Sequence, residues 1–155
     1  MPSASALPHV DEHSVSVEAS PSATWEALQR VVEGSFSSPT SGRGARLLGC
    51  AETAASGSRP LVTGSTLPGF RVDQADPPST LALTGAHRFS NYALIFRLDP
   101  EADRRTTLRA ETRAEFPGVK GSIYRALVIG TRGHVLVTRR LLTAAKRSAE
   151  KDPGA

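Results

Sequence analysis

Three consecutive segments between residues 79 and 116 alternate apolar and polar side chains, and this pattern restricts the fold more than any other feature of the sequence. The segments are residues 79–90, 91–98 and 105–116. Alternation with a period of two residues is typical of β-strands that bury one face. The junction at Ser90-Asn91 is tight, and residues 99–104 read as a polar hairpin loop. The three segments therefore predict antiparallel strands with helices covering one face of the sheet.

The alternation also predicts which side chains face the helices. The inward set is Leu81, Leu83, Gly85, His87, Phe89, Tyr92, Leu94, Phe96, Leu98, Leu108, Ala110, Thr112, Ala114 and Phe116. The opposite set, which includes Glu111 and Glu115, is expected to face solvent. Because the inward set mixes large residues with small ones, we expect free space above the sheet.

The rest of the chain completes an α+β pattern. Further strands are predicted at residues 13–19, 45–52, 60–67 and 69–76, with a loop at 35–44. A helix at 20–34 is indicated by Ser20 as N-cap and Pro21 at its first position, and its buried stripe is Trp25, Leu28 and Val32. The order is a strand, a helix, about six strands and a long helix, which favours two helices packed on one sheet face.

Residues 119–150 contain no proline and predict one continuous helix about 45 Å long. At about 100° per residue, Ile123, Leu127, Gly130 and His134 share a buried stripe with Val137, Leu141 and Ala145. Arginines recur on the opposite face of the helix, which is expected to be exposed to solvent. Gly130 would leave a hole in the helix surface beside Thr131 and His134. Close packing of the helix on the sheet explains this glycine equally well. His134 can also be interpreted as a hydrogen-bonded core residue.

Composition excludes several classes of protein. A chain of 155 residues with 39% hydrophobic residues is expected to form one domain, at residues 12–150, with disordered tails at 1–11 and 151–155. No apolar run is long enough to cross a membrane, and the N-terminus lacks a secretion signal, so a cytoplasmic protein is expected. One cysteine and four scattered histidines favour no metal site and no cofactor. Aromatic residues are too few to favour nucleic-acid binding.

Several segments resemble the START-like superfamily, also called SRPBCC, which includes polyketide cyclases and lipid-transfer proteins. These are HSVSVEASPSATWEAL at 13–28, residues 69–98 and residues 111–134. The likeness to bacterial members extends over about residues 12–149. It implies a helix-grip fold, in which a curved antiparallel sheet of six to seven strands wraps a long C-terminal helix. It also implies an apolar cavity between sheet and helix, but it carries no catalytic motif to particular residues.

The predicted function is the binding or carrying of a small, mostly apolar molecule, such as a lipid, a sterol or an aromatic polyketide-like compound. The expected cavity residues are His87, Phe89, Tyr92, Phe96, Thr112, Phe116, Leu127, Gly130, Thr131 and His134. One alternative is a cyclase or dehydratase in which His87, Tyr92 and His134 act as acid and base. A second alternative is an interaction protein that uses the basic face of the last helix. Residues 117–155 contain eight basic and two acidic side chains.

Overall fold

The computed structural model describes residues 2–130 and 132–152, with side chains for all of these except 128–130. Within that part, six strands form one antiparallel sheet in the order β1-β6-β5-β4-β3-β2. The strands are β1 (His9–Val17), β2 (Thr66–Leu67), β3 (Phe70–Asp76), β4 (Thr80–His87), β5 (Ser90–Pro100) and β6 (Thr106–Glu115). The helices are α1 (Pro21–Phe36), α2 (Pro39–Leu48), α3 (Gly118–Gly130) and α4 (Gly133–Lys151). The predicted α+β helix-grip architecture, with a curved sheet and a long C-terminal helix, is confirmed.

The register confirms the predicted inward face of the central strands. Tyr92 pairs with Ala114, Leu94 with Thr112 and Phe96 with Ala110, so these side chains stand on one side of the sheet. Toward one end of this face, Leu81, Leu83, Phe96 and Leu108 are completely buried against the helices. Toward the other end, beginning at Leu94 and Thr112, the packing opens.

Two helices close the buried end of the sheet. The Ser20 side chain accepts a hydrogen bond from the Ala23 amide at 3.2 Å, which caps α1 as predicted. Trp25, Leu28 and Val32 are buried in the core, together with residues of α4 that include Leu141 and Leu142. Packing therefore fixes α1 and α4 against each other and against the sheet.

The prediction for residues 35–52 was wrong. In place of a loop and a strand, Pro39–Leu48 forms α2, capped by Ser38 and ended by Gly49 in the left-handed conformation at φ 71°. The serine and proline are the same signals that identified α1, and a left-handed glycine is a common end of a helix. The predicted strand at 60–67 is reduced to β2, Thr66–Leu67.

The predicted continuous C-terminal helix is divided in two. Arg132 adopts the left-handed conformation at φ 54° immediately before α4 begins. The break separates the helical phases of α3 and α4, so the single buried stripe does not persist. Ile123 is 65% exposed and Leu127 is 66% exposed, whereas both were predicted to face inward.

The N-terminal residues pack on the outer face of the sheet. A 3-10 turn at Ala4–Ala6 precedes β1, which begins at His9 and not at residue 13. Ala4 and Leu7 form a second buried cluster with Ala82, Ala93 and Ile95, and residues 4–11 therefore do not have the disordered arrangement expected of them. The cover also buries Glu111, which is 5% exposed although its outward position was predicted to be solvated.

Candidate functional site

A pocket of about 450 Å³ lies at the open end of the sheet, under α3 and the start of α4. Its wall is mostly aliphatic and aromatic, with a few polar groups. The lining residues are Val10, Phe36, Leu48, Phe70, His87, Ser90, Tyr92, Ala93, Leu94, Thr112, Ala114, Phe116, Tyr124, His134, Val137 and Thr138. An apolar recess of this size with few polar groups is the usual form of a small-molecule site.

Tyr92 forms one wall of the pocket and is held firmly. A Cβ added to Gly85 would lie 2.4 Å from Tyr92 Cε2 and 2.2 Å from the Gly69 carbonyl oxygen, so only glycine allows the ring to lie across β4. The Tyr92 hydroxyl donates to the Gly69 carbonyl at 2.7 Å. Burial, with a further contribution from Cys50, raises the pKa of Tyr92. The phenol is therefore a neutral group whose proton is already committed to the backbone.

His87 belongs to an aromatic cluster at the mouth of the pocket. Its Nδ1 accepts the Phe89 amide hydrogen at 3.1 Å, so the neutral ring carries its hydrogen on Nε2. Burial lowers the pKa of His87, which favours this neutral form. Tyr124 of α3 packs against both rings, with centroids 4.9 Å from His87 and 5.5 Å from Phe89.

His134 lies on the opposite side of the pocket and is paired with a carboxylate. Its Nε2 is 2.9 Å from Asp11 Oδ2, and the His134 and Asp11 side chains are 16% and 22% exposed. His13 Nε2 approaches the same oxygen at 3.3 Å. Asp11 on β1 is the register partner of Thr112 on β6. The ion pair of His134 with Asp11 therefore lies directly beside the Thr112 hydroxyl of the pocket wall.

The structure brings five of the ten residues expected in the cavity to the pocket wall: His87, Tyr92, Thr112, Phe116 and His134. Phe89 lies beside them in the aromatic cluster, and Phe96 is fully buried in the core below. Leu127 lies on the exposed side of α3, because the break after α3 changes the helical phase. Gly130 ends α3, but its surroundings and Thr131 lie outside the described residues.

Sequence reasoning missed Asp11 and Tyr124. Asp11 was assigned to the N-terminal tail, although the alternation of Val15 and Val17 extends back through His13 to Asp11 on one face. Tyr124 was not among the residues expected to line the cavity, although its neighbour Ile123 was expected to face inward. The separate orientation of α3 places Tyr124 in the pocket and exposes Ile123.

The described part of the chain contains neither a metal-binding cluster nor a helix that could cross a membrane. There, no group of three or more histidine, cysteine, aspartate or glutamate side chains is arranged to hold a metal ion. None of the helices in that part combines the length and apolar character needed to cross a membrane.

Solved structures with the same fold support the architecture. A protein from Thermobifida fusca matches with 20% identity and a TM-score of 0.52, covering 91% of this chain and 93% of that one. A protein from Chromobacterium violaceum matches with 13% identity and a TM-score of 0.55, covering 94% and 100%. Ara h 8.0201 matches with 10% identity and a TM-score of 0.50, covering 92% and 97%. At these identities the likeness defines a helix-grip fold.

No protein-family model matches the chain, and no curated protein matches it.

Proposed function

We propose that this protein binds a small, mostly apolar molecule in the pocket between the open end of the sheet and α3 and α4. The observation that carries the proposal is the pocket itself, about 450 Å³ within a wall of aliphatic and aromatic side chains. Leu94 and Ala114 border this space on the side of the sheet, whereas Phe96 and Leu108, farther along the same two strands, are completely buried.

The driving force for such binding is the removal of apolar surface from water. At about 25 cal/mol per Å², burial of roughly 200 Å² of ligand surface contributes about 5 kcal/mol before the costs of association. The sheet supplies a wall that is already ordered by its hydrogen bonds. Little of this favourable binding free energy is therefore offset by the entropy cost of ordering the site.

The proposal is tested by filling the pocket from its own wall. Ala114→Phe places a ring in the space above β6, and Val137→Trp fills it from the half-exposed edge of α4, where no core packing is disturbed. Ala144→Phe is the matched control, because Ala144 lies on the exposed side of α4. The readouts are calorimetric titration with 2-methylnaphthalene and mass spectrometry of gently purified protein for copurified small molecules.

We expect wild type and Ala144→Phe to bind the hydrocarbon, and both pocket variants to lose at least about tenfold in affinity. Circular dichroism and thermal unfolding establish that each variant is folded. Val137→Trp decides the matter if Ala114→Phe unfolds. Wild-type affinity in a folded Val137→Trp variant, or no binding by wild type, would exclude this pocket as the site.

A further inference from the structure

The buried polar atoms without a hydrogen-bond partner are concentrated at one corner of the pocket. Among the described residues, four such side-chain atoms occur: Asp11 Oδ1, Thr112 Oγ1, His134 Nδ1 and Arg105 Nε. The first three belong to residues that are neighbours, since Asp11 pairs with Thr112 across the strands and hydrogen-bonds to His134. Thr112 and His134 both line the pocket.

Such a group of unpaired buried atoms is energetically unfavourable if the atoms have only a structural role. A buried polar group without a partner lowers the stability of the folded state, and most buried polar groups in native proteins are therefore paired. Two other hydroxyls of the pocket wall follow that rule. Thr138 donates to the His134 carbonyl at 2.8 Å, and Tyr92 donates to the Gly69 carbonyl at 2.7 Å.

The hydrogen-bond network fixes the chemistry that the corner offers. An ionised carboxylate only accepts hydrogen bonds, so His134 Nε2, 2.9 Å from Asp11 Oδ2, must carry the donated hydrogen. In the neutral ring, Nδ1 is then an acceptor. The Thr112 hydroxyl both donates and accepts. On the pocket wall the corner therefore combines one acceptor, His134 Nδ1, with one group of both kinds, the Thr112 hydroxyl, and this pair matches a ligand hydroxyl. Asp11 Oδ1 is a further acceptor, but Asp11 does not line the pocket.

We infer that the ligand is an apolar molecule with a hydroxyl group, which donates to His134 Nδ1 and accepts from the Thr112 hydroxyl. Asp11 is a positioning residue that holds the histidine tautomer. The inference rests on the proposed function, since it concerns the ligand of the same pocket.

The corner is unsuited to a carboxylate ligand. Asp11 carries its negative charge directly behind His134 and Thr112, and like charges at such distances repel. Among the lining side chains that the structure describes, there is no lysine or arginine to compensate. A hydroxyl makes the two hydrogen bonds and adds no charge.

Three probes of one size and skeleton separate these chemistries: 2-naphthol, 2-methylnaphthalene and 2-naphthoate, each titrated calorimetrically into the full chain at neutral pH. We expect 2-naphthol to bind about tenfold more tightly than 2-methylnaphthalene, and 2-naphthoate to bind more weakly than 2-naphthol. Equal affinities for the hydroxyl and methyl compounds, or tightest binding of the carboxylate, would overturn the inference and leave the proposed function standing. If no probe binds, the proposed function itself fails.

Thr112→Val removes the hydroxyl and keeps the shape of the side chain. We expect it to reduce the preference for 2-naphthol over 2-methylnaphthalene at least about threefold, while the Tm of the free protein is unchanged or raised. Thr107→Val is the matched control on the same strand, where the hydroxyl faces away from the pocket and donates to Glu101. A lower Tm for Thr112→Val together with an unchanged preference would show a purely structural hydroxyl.

Asp11→Asn tests the positioning role through selectivity. Loss of the negative charge should raise the affinity for 2-naphthoate relative to 2-naphthol by about tenfold, a ratio that a general loss of packing would not move. An unchanged ratio in a folded variant would contradict the assigned role of Asp11.

Discussion

At the scale of single residues, the shape of the pocket depends on Gly85. This glycine lies opposite Tyr92 in the register of β4 and β5, and the tyrosine ring occupies the space that any other side chain would take. The contact allows the Tyr92 hydroxyl to reach the backbone of Gly69, so Tyr92 of β5 extends across β4 to the turn between β2 and β3. The same hydrogen bond disfavours Tyr92 as the proton donor of a cyclase or dehydratase.

We expect Gly85→Ala to destabilise the protein by about 1–3 kcal/mol, because the added methyl group would overlap the Tyr92 ring and the Gly69 carbonyl oxygen. The free energy of unfolding, measured in urea, is the test. Gly34→Ala is the control, since Gly34 lies exposed in α1 with nothing within 4 Å of its added Cβ. That variant should gain up to about 1 kcal/mol. Equal stability of the two variants would refute the close contact.

Some site residues could be predicted from the sequence and others could not, because the predictions depended on different kinds of local geometry. Strand alternation alone predicted the inward positions of His87, Tyr92, Thr112 and Phe116. In a strand, successive side chains point to opposite faces, so the predicted face does not change along its length. Leu127 required the helical phase to continue across thirty residues, and a single left-handed residue, Arg132, cancels it. Asp11 required the strand to start earlier, and the pairing that extends it comes from β6, far away in sequence.

At the scale of elements, the two glycines near residue 130 have a simpler explanation than a hole in a helix. Gly130 ends α3 and Gly133 begins α4, so both lie at a junction between helices. The sequence analysis predicted one continuous helix with a hole or a close packing contact at Gly130, and it did not predict this junction. The form of the junction depends on α3 lying across the mouth of the pocket, with Tyr124 against the aromatic cluster. α3 therefore contributes to the pocket and little to the core.

This division of roles predicts unequal responses in the two helices. Leu142→Ala in α4 removes a side chain that is 1% exposed and should cost about 2–5 kcal/mol. Ile123→Ala in α3, where the side chain is 65% exposed, should change stability by less than about 1 kcal/mol. Urea unfolding measures both. A large loss for Ile123→Ala would mean that α3 is packed as part of one continuous helix after all.

At the scale of the whole molecule, the sheet is covered on both faces. The helices cover one face, and residues 4–8 cover part of the other, where Arg113 donates to the carbonyls of Ser5 and Leu7 at 2.9 Å. Strand alternation alone predicted a solvated outer face, because it identifies two faces but not what packs on each. Ala82, Ala93 and Ile95 were the signal for a cover, since three apolar residues interrupt an otherwise polar face.

Glu111 is the charged centre of this covered face. Burial alone would raise its pKa, but hydrogen bonds from Arg97, His9 and Arg113 outweigh burial and lower the pKa to about 2. Arg97 Nη1 and Arg113 Nε each lie 2.6 Å from the carboxylate, and His9 Nδ1 lies 3.0 Å from it. The carboxylate thus joins β1, β5 and β6 beneath the N-terminal segment.

A carboxyl group whose folded pKa is depressed stabilises the fold above its unfolded pKa and loses that contribution as the pH falls through the folded value. Glu111 should therefore contribute on the order of 2 kcal/mol at neutral pH, allowing for the partial exposure of its arginine and histidine partners. The contribution should decline between about pH 4.5 and pH 2. Glu111→Gln should be less stable than wild type at pH 7 by that amount, and the two unfolding free energies should converge toward pH 2. Glu115→Gln, exposed on the same strand, should follow wild type throughout, and a constant gap for Glu111→Gln across this range would mean that its charge does not hold the N-terminal cover to the sheet.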